Sequence, residues 1–407
     1  MPALRDGHRI ELLQGAHELF AAMVRAIDAA RTEVLVETYI FDLTASGADV
    51  AAALVHAARR GVRVQLLMDG IGTPELPPDW VARFDDAGVQ WHRYAPLGWL
   101  GLLIPNRWRR LHRKLCVVDG GLGFCGGINV LDDLHDPNHG VLQHPRLDYA
   151  VRVQGPLLAD MRDAMQQLWR RTQAMRAARA RDFAAAWESI RLQSPQTIQP
   201  TNATNLIAEK QGSMRAEVVF RDNLRNRRQI EKAYLKAIGE AQQEIVIANA
   251  YFLPGRRLRR ALVVAMQRGV RVQLLLQGRY EYFMQYYASR PVYGLLLAHG
   301  AELHEYAPSF LHAKVAVIDA HGPKPWATVG SSNLDPLSLL LAREANVVVR
   351  DSAFAGELHA RLLKAIEHQG QPVLPEAYAR RSLTTRALGW LAYGLMRFLL
   401  LIAGKRY

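Results

Sequence analysis

Cysteine and lysine are both scarce in this sequence of 407 residues. The two cysteines, Cys116 and Cys125, are too few for a disulfide framework, so the sequence predicts that they are reduced core residues. Only eight of the 51 basic residues are lysines, and the others are arginines. Two of these lysines, Lys114 and Lys314, occupy equivalent positions of an internal repeat.

Long hydrophobic segments are almost absent. The exception is 387–404, ALGWLAYGLMRFLLLIAG, in which Arg397 is the only charge. This length barely reaches across a bilayer and a central arginine is costly there, whereas Trp390, Tyr393 and the basic flanks suit the lipid interface. We therefore expect a membrane-associating tail over 371–407 with an interfacial helix; a true span and a core or dimer helix are the alternatives. The first residues do not form an apolar leader, which predicts a protein on the cytoplasmic side.

Length and charge define broad classes of structure and partner. The chain has the length of two domains of about 150–200 residues each, and half of its residues are hydrophobic, which is enough for sizeable cores. Its 51 basic residues against 38 acidic ones give a net charge of +13. That excess favours a polyanionic partner, either nucleic acid or an anionic lipid surface, and charge alone does not choose between them.

The sequence repeats itself. RGVRVQLL occurs at 60–67 and again at 268–275, each time after a helical pattern, a β-rich run and an amphipathic helix. Strands that alternate with helices and are almost continuously apolar predict α/β units with buried sheets. The polar tract within 176–217 is the natural linker between a first domain, 1–175, and a second, 218–370. Two similar halves also predict a pseudo-twofold arrangement that brings equivalent loops together.

Each half carries the same set of polar residues around a short strand. The first has His112-x-Lys114 with Asp119 and then Gly126-Gly127-x-Asn129; the second has His312-x-Lys314 with Asp319 and then Gly330-Ser331-x-Asn333. Residues two apart on a strand project from one face, so each His and Lys share a face. A chance arrangement of polar residues on core strands is disfavoured, because Lys and His are rarely buried without a purpose.

This set of residues suits phosphodiester chemistry. One imidazole can attack phosphorus while the other protonates the leaving alkoxide, and lysine, asparagine and serine side chains can bind the phosphate oxygens. The predicted phosphate ligands besides the lysines are Asn129, Asn333 and Ser331. A carboxylate on each His Nδ1 would fix the tautomer. The candidates are Asp148 for one half of the site and Glu344 for the other.

The duplicated motif resembles that of the phospholipase D superfamily, and the sequence is similar in particular to the bacterial cardiolipin synthases, above all to the type called B. The resemblance covers nearly the whole chain and is strongest at 248–255, 326–338 and 344–347. It implies two tandem phospholipase D-type α/β domains with mixed sheets, a pseudo-twofold relation and helices on the sheet faces. It also implies a catalytic set in each half, which is His112, Lys114 and Asp119 in the first and His312, Lys314 and Asp319 in the second.

The same resemblance implies a two-step transfer through a phosphatidyl-histidine, with neither metal nor cofactor. By analogy His112 is the nucleophile and His312 the acid/base, although the residues alone leave either order open. The expected reaction joins two phosphatidylglycerol molecules to give cardiolipin and glycerol. The expected partners are anionic phospholipids and the membrane surface and not nucleic acid, at the cytoplasmic side of the cell inner membrane, peripherally or through the C-terminus. A hydrolytic phospholipase D, a phosphodiesterase nuclease and an inactive membrane scaffold are the alternatives.

The first repeat contains an insertion that the second lacks, LGWLGLLIPNRWRR at 97–110. Its order, apolar and then basic, predicts a lip that admits acyl chains while the arginines meet phosphates. A loop packed against the core is the alternative.

Overall fold

The fold is described from a computed structural model, which describes residues 4–73, 75–96, 109–179, 182, 212–222, 226–280, 283–335 and 342–402. The predicted insertion at 97–110 therefore lies almost wholly outside the described residues, as does most of the predicted linker. The described chain alternates strands and helices in both halves, as the sequence pattern predicts.

The first half begins with a strand that leads directly into an amphipathic helix. In α1, the buried residues Ala16, Leu19, Phe20 and Met23 follow helical spacing, which explains why this stretch forms a helix with one face in the core. The elements of this half are β1 (Arg5–Gln14), α1 (Gly15–Asp28), β2 (Glu33–Thr38), α2 (Ser46–Arg59), β3 (Arg63–Asp69), α3 (Pro78–Ala87), β4 (Gln90–Tyr94), β5 (Arg110–Leu111), β6 (Lys114–Val118), β7 (Leu122–Gly126), β8 (His135–Asp136), β9 (Gly140–Val141), β10 (Tyr149–Gln154) and α4 (Leu157–Arg179).

The second half repeats this order and ends in a short strand and two further helices. Its elements are β11 (Met214–Arg221), α5 (Gln229–Glu240), β12 (Glu244–Asn249), α6 (Arg256–Gln267), β13 (Arg271–Gln277), α7 (Phe283–Leu297), β14 (Glu302–Tyr306), β15 (Lys314–Ile318), β16 (Trp326–Gly330), β17 (Ala342–Arg350), α8 (Ser352–Gln369), β18 (Gly370–Pro372), α9 (Pro375–Ala379) and α10 (Leu383–Ile402). Helix α4 continues four residues past the predicted boundary at 175, and β11 begins four residues before the predicted boundary at 218.

The repeated Arg-Gly-Val is a helix stop followed by a strand. Gly61 and Gly269 have φ of 86° and 87°, in the left-handed region that favours glycine. Each ends its helix, α2 or α6, and lets the chain turn directly into the buried strand β3 or β13. The identity of these two segments therefore reflects the same local geometry in both halves.

Within the described residues, sixteen strands form one mixed sheet with a symmetric strand order. One side runs β1-β10-β7-β6-β2-β3-β4, and the other runs β11-β17-β16-β15-β12-β13-β14 with β18 at its edge; the sixteenth strand, β5, pairs with β17 beside this path. The two sides meet at β1 and β11, which are antiparallel. Strands β2, β3 and β4 are parallel to one another, while β6, β7 and β10 are antiparallel. The predicted mixed α/β fold with two pseudo-symmetric halves is confirmed.

Among the described residues, the interior has three large hydrophobic clusters and one small one around Leu67 and Trp169, and the central large cluster is shared by both halves. It combines residues of the first half, such as Val117 and Tyr149, with residues of the second, such as Val315 and Val347. A second cluster lies under α1 and α2 of the first half, and a third lies under α5, α6 and α7 of the second. Because the shared cluster joins the halves through buried apolar surface, their relative position is fixed by the same hydrophobic effect that folds them.

The two cysteines lie on adjacent strands of the core. Cys116 and Cys125 are both free and buried, as the sequence predicts. Burial raises the pKa of each thiol to about 12. They therefore behave as small apolar residues rather than as reactive thiols.

The C-terminal segment forms helix α10, which packs against α7. Ala392 and Met396 are buried in this contact. The opposite side exposes large apolar residues, and the exposed fractions of Leu391, Leu395 and Phe398 are 69 %, 46 % and 58 %. Among the helices in the described part of the chain, none has the length and apolar character needed to cross a membrane.

Candidate active site

The two motif strands begin where the halves meet. The backbone N–H of His112 donates to the carbonyl of Arg343 at 3.0 Å, and that of His312 donates to the carbonyl of Leu147 at 2.9 Å. Arg343 belongs to the second half and Leu147 to the first. Each histidine is thus held by backbone from the other half, and the two contacts are equivalent under the pseudo-twofold relation.

The carboxylates that orient the histidines cross between the halves. Nδ1 of His112 lies 3.1 Å from Glu344, and Nδ1 of His312 lies 2.7 Å from Oδ2 of Asp148. Both carboxylates are buried, with exposed fractions of 0 % and 2 %. The structure therefore brings together the two histidines with their two predicted partners. The structure also shows what the sequence does not: each pair consists of one residue from each half.

The two carboxylates differ in length, and their surroundings differ accordingly. Ser331 donates its hydroxyl to Oε2 of Glu344 at 2.5 Å, and Oγ of Ser331 accepts the N–H of Ala345 at 3.1 Å. At the equivalent position, a Cβ on Gly127 would collide with the carboxylate of Asp148. The interpretation of Ser331 as a phosphate ligand is therefore corrected: its hydroxyl holds Glu344, and the glycine in the first half makes room for Asp148.

Both motif lysines are buried at the same end of their strands. Nζ of Lys114 donates to the carbonyl of His112 at 2.7 Å, and Nζ of Lys314 donates to the carbonyl of His312. Burial, together with the charge of Lys314, lowers the pKa of Lys114 to about 7, although Glu344 and Asp148 act in the opposite direction. A buried ammonium can gain much from an incoming anionic phosphate.

The motif asparagines, Asn129 and Asn333, are buried. Oδ1 of Asn129 accepts the N–H of Ile40 at 3.1 Å, which leaves the amide nitrogen as its donor side. Oδ1 of Asn333 is buried without a hydrogen-bond partner among the described residues. Both positions are compatible with amide donors for a phosphate, which stays a prediction.

The motif aspartates lie outside this group of residues. Asp119 and Asp319 follow the last residues of β6 and β15, at the ends of these strands away from the histidines. The carboxylate of Asp119 accepts the backbone N–H groups of residues 31, 32 and 33, and that of Asp319 accepts those of residues 242, 243 and 244. Their assignment to the catalytic set is therefore corrected. They fix the turn that leads into β2 or β12, next to the motif strand.

This correction has a measurable consequence. Asp319→Ala removes a charged acceptor from three backbone N–H groups, so we expect a loss of unfolding free energy of about 2 kcal/mol or more. Activity per folded molecule should stay close to that of the wild type. Asp319→Asn is the matched control, because asparagine tolerates the positive φ of 49° and keeps one acceptor oxygen. Denaturant unfolding with an activity titration checks both; a folded but inactive Asp319→Ala protein would contradict the structural role.

The two histidine pairs differ in their protonation. Burial raises the pKa of Asp148 to about 7, and burial with the charges of Lys314 and Lys114 lowers the pKa of His312 well below its usual value. In this pair Asp148 is therefore protonated and His312 is neutral, so the pair carries no net charge. It keeps the proton of Asp148 up to a pH of about 7. Burial alone would raise the pKa of Glu344, but the neighbouring His112 and Lys114 outweigh it, so the pKa of Glu344 is lowered. Burial lowers the pKa of His112. The second pair is thus an ionised carboxylate with a neutral imidazole.

Three further side chains support the site and were missed by the sequence analysis. Asp69 accepts the N–H of Leu111 at 2.7 Å, and Gln277 accepts the N–H of Leu311 at 3.0 Å, so both hold the backbone just before a histidine. The ring of Tyr39 lies 5.1 Å from that of His112, and Nζ of Lys114 is 5.5 Å from the Tyr39 ring centre. The repeat could have revealed Asp69 and Gln277, since each is the last residue of a strand that begins with RVQLL.

A duplicated α/β fold with paired histidines and lysines at the seam between the halves defines the phospholipase D class of protein. The description of the matching family model is a cardiolipin synthase, phospholipase D-like domain, and it covers residues 23–143 and 234–366. The chain belongs to this family and is a phosphatidyltransferase of the phospholipase D type, which confirms the resemblance inferred from the motifs.

Relatives and a solved structure agree with this membership. The chain is 36 % identical to cardiolipin synthase B of Shigella flexneri and 35 % identical to that of Escherichia coli K12, over 97 % of this chain and 89 % of each relative. The crystal structure of phosphatidylserine synthase from Haemophilus influenzae matches with a TM-score of 0.65 over 99 % of this chain and 95 % of that one. At 12 % identity, that match supports the fold alone.

Proposed function

We propose that this protein joins two phosphatidylglycerol molecules into cardiolipin and releases glycerol. The observation that carries the proposal is the crossed arrangement of His112 with Glu344 and His312 with Asp148. It provides one neutral imidazole for attack and one proton-carrying pair for the leaving group, which is what a two-step phosphoryl transfer requires. The relatives named cardiolipin synthase B support the choice of substrate.

In the first step, Nε2 of His112 attacks the phosphorus of one phosphatidylglycerol. Glu344 accepts the Nδ1–H of His112, so the lone pair lies on Nε2 and the positive charge that develops on the ring is balanced. The bond from phosphorus to the glycerol headgroup breaks, and its oxygen takes the proton from the His312–Asp148 pair. The products of this step are glycerol and a phosphatidyl group on His112.

In the second step, a hydroxyl of another phosphatidylglycerol replaces the departed glycerol. The His312–Asp148 pair, which has lost its proton, now accepts the proton of this hydroxyl. The oxygen attacks phosphorus, the bond from phosphorus to Nε2 of His112 breaks, and cardiolipin leaves. Both histidines return to their starting states, so the cycle is balanced.

The non-bridging phosphate oxygens carry negative charge through both steps. Lys114 and Lys314 are buried beside the histidines, where an ammonium stabilises such charge more strongly than it would in water. The amide groups of Asn129 and Asn333 are the proposed neutral donors. We further propose that the enzyme works peripherally at the cytoplasmic side of the inner membrane, with the exposed apolar side of α10 in the lipid interface.

Labelled phosphatidylglycerol in mixed micelles with EDTA tests the reaction directly. Cardiolipin and free glycerol are expected in equal amounts, and EDTA should leave the rate unchanged because lysine side chains meet the phosphate charge. The double variant His112→Ala/His312→Ala is the negative control. Phosphatidic acid as the sole product would identify a hydrolase, and cleavage of DNA without any lipid product would identify a nuclease; either result would refute the proposal.

A further inference from the structure

A cavity lies away from the motif residues, between α6, α7, α9 and α10. It has a volume of about 430 Å³, and four arginines line it, namely Arg259, Arg290, Arg381 and Arg386. Aromatic side chains complete its wall, namely Tyr378, Trp390 and Tyr393. None of the histidines, lysines or carboxylates of the candidate active site contributes to this cavity.

Aromatic rings and hydroxyl groups contact three of these arginines, Arg259, Arg290 and Arg381. The guanidinium of Arg290 lies 4.2 Å and 5.0 Å from the ring centres of Tyr286 and Tyr293, and that of Arg381 lies 3.2 Å from the ring centre of Tyr378. Arg259 donates to the hydroxyl of Tyr393 at 2.9 Å. Stacking on rings pre-organises a guanidinium without neutralising its charge.

The cavity has a large excess of positive charge. Among the described residues, Arg290 alone of the four arginines forms an ion pair with a carboxylate, that of Glu305, and no acidic residue lines the wall. Arg386 is exposed and Arg381 is partly exposed, so their donors are accessible from outside. Several guanidinium groups around one concave space fit a phosphate group, which they can bind through two parallel hydrogen bonds each.

The rim of the cavity is apolar and faces outward. Trp390 lines the cavity and is 60 % exposed. On the same helix, Leu391, Leu395 and Phe398 form an exposed row with spacings of four and three residues, which places them along one side of α10. An arginine-lined cavity beside an exposed apolar row is the combination that binds a headgroup while the acyl chains stay in the bilayer.

We infer that this cavity, defined by Arg259, Arg290, Arg381 and Arg386, binds the phosphate of an anionic phospholipid within the bilayer, at a site separate from the catalytic centre. The inference rests on the proposed contact of α10 with the membrane. The site would make membrane binding selective for anionic bilayers, because the apolar row binds any bilayer whereas the arginines bind one that carries negative charge. A nucleic acid would use the charge but has no use for the apolar row.

Vesicle binding by the full chain tests this inference. Arg381→Gln/Arg386→Gln should weaken binding to phosphatidylcholine vesicles that contain phosphatidylglycerol by about tenfold or more, since each surface arginine contributes to attraction by an anionic leaflet. Binding to pure phosphatidylcholine vesicles should not change. Arg25→Gln/Arg59→Gln is the control of equal charge, because both arginines are exposed on α1 and α2 of the other half. It should lose much less affinity.

Leu395→Asp separates the two parts of the surface. It should weaken binding to both kinds of vesicle, because it places a charge in the apolar row. Soluble glycerol phosphate in excess should lower binding to the phosphatidylglycerol vesicles only as far as the level seen with pure phosphatidylcholine vesicles, since it can fill the arginine-lined cavity but offers no acyl chains. The inference would be overturned by equal losses in the cavity and control variants, by complete release from both kinds of vesicle with glycerol phosphate, or by a cavity variant that loses DNA binding while its vesicle binding stays intact.

Thermal unfolding and the transfer rate in micelles distinguish a failure of the proposed lipid site from a failure of the proposed reaction. The thermal unfolding of Arg381→Gln/Arg386→Gln should match that of the wild type, and so should its transfer rate with phosphatidylglycerol in detergent micelles, where no bilayer is needed. If wild type and variant both lack transfer activity while their vesicle binding differs, the proposed reaction fails and the lipid site stands. If both transfer equally and both bind vesicles equally, the reaction stands and the lipid site fails.

Discussion

His112→Ala and His312→Ala are each expected to lower the transfer rate by on the order of 10⁴-fold or more, and the double variant should lose little beyond either single one. The reason is that the two imidazoles act on one phosphorus in one reaction, each oriented by a carboxylate of the other half. Groups that act as a unit have non-additive effects. The measurement is the initial rate of cardiolipin formation with equal amounts of folded enzyme.

His17→Ala is the control for the loss of an imidazole, because this residue is exposed on α1 and should leave the rate unchanged. Retention of half of the activity in either single variant would show two independent sites and contradict the shared centre. Loss of activity in the double variant equal to the product of the single losses would contradict the joint action.

An activated substrate separates the roles of the two histidines. A phosphatidic acid ester of nitrophenol has a leaving group that needs no protonation, so His312→Ala should still release one equivalent of nitrophenol in a burst. His112→Ala should release none, because the nucleophile is missing. The opposite pattern would exchange the two roles.

Asp148→Asn is expected to lower the transfer rate by roughly 10²–10⁴-fold, as does the loss of the carboxylate that orients a catalytic imidazole. It should also change the pH profile. In the wild type, the rate of leaving-group release should fall as the pH rises above about 7, because the Asp148–His312 pair then loses the proton that the glycerol oxygen needs. An amide cannot exchange this proton, so the variant should lack that part of the profile.

Lys114 needs its own control, because its pKa is also lowered to about 7 and its charge would disappear over the same range. Lys114→Arg keeps a positive charge at every relevant pH. If the alkaline fall persists in Lys114→Arg and disappears in Asp148→Asn, the proton belongs to the Asp148–His312 pair. If the fall disappears in Lys114→Arg instead, it reports the lysine, and the assignment of the acid must be abandoned.

The crossed pairs have a consequence for the organisation of the protein. Each half contains one of the two histidines and one of the two carboxylates, but its carboxylate orients the histidine of the other half. The shared core and the β1–β11 contact bring them into register. The position of one half relative to the other is therefore part of the chemistry, and substitutions in the shared core should affect the two histidine pairs together.

Most of the fold could be predicted from the sequence. The Arg-Gly-Val segments, the apolar strands and the amphipathic helices depend on residue type and local period, and these features predict elements close to those of the structure. The histidine and lysine of each motif could also be predicted, because alternation along a strand places them on one face. Three residues were assigned wrong roles for a common reason: Asp119, Asp319 and Ser331 belong to the motifs, yet their oxygens bind groups of the protein.

The sequence by itself determined the duplication, the α/β class and the types of residue available for phosphoryl transfer, because these depend on neighbours along the chain. The tertiary structure alone decided that His112 pairs with Glu344 and His312 with Asp148, across 232 and 164 residues. It also decided that α10 exposes an apolar row next to an arginine-lined cavity. A hydrogen bond requires two atoms to be placed within about 3 Å, and only the packing of the two halves provides that precision for residues so far apart in sequence.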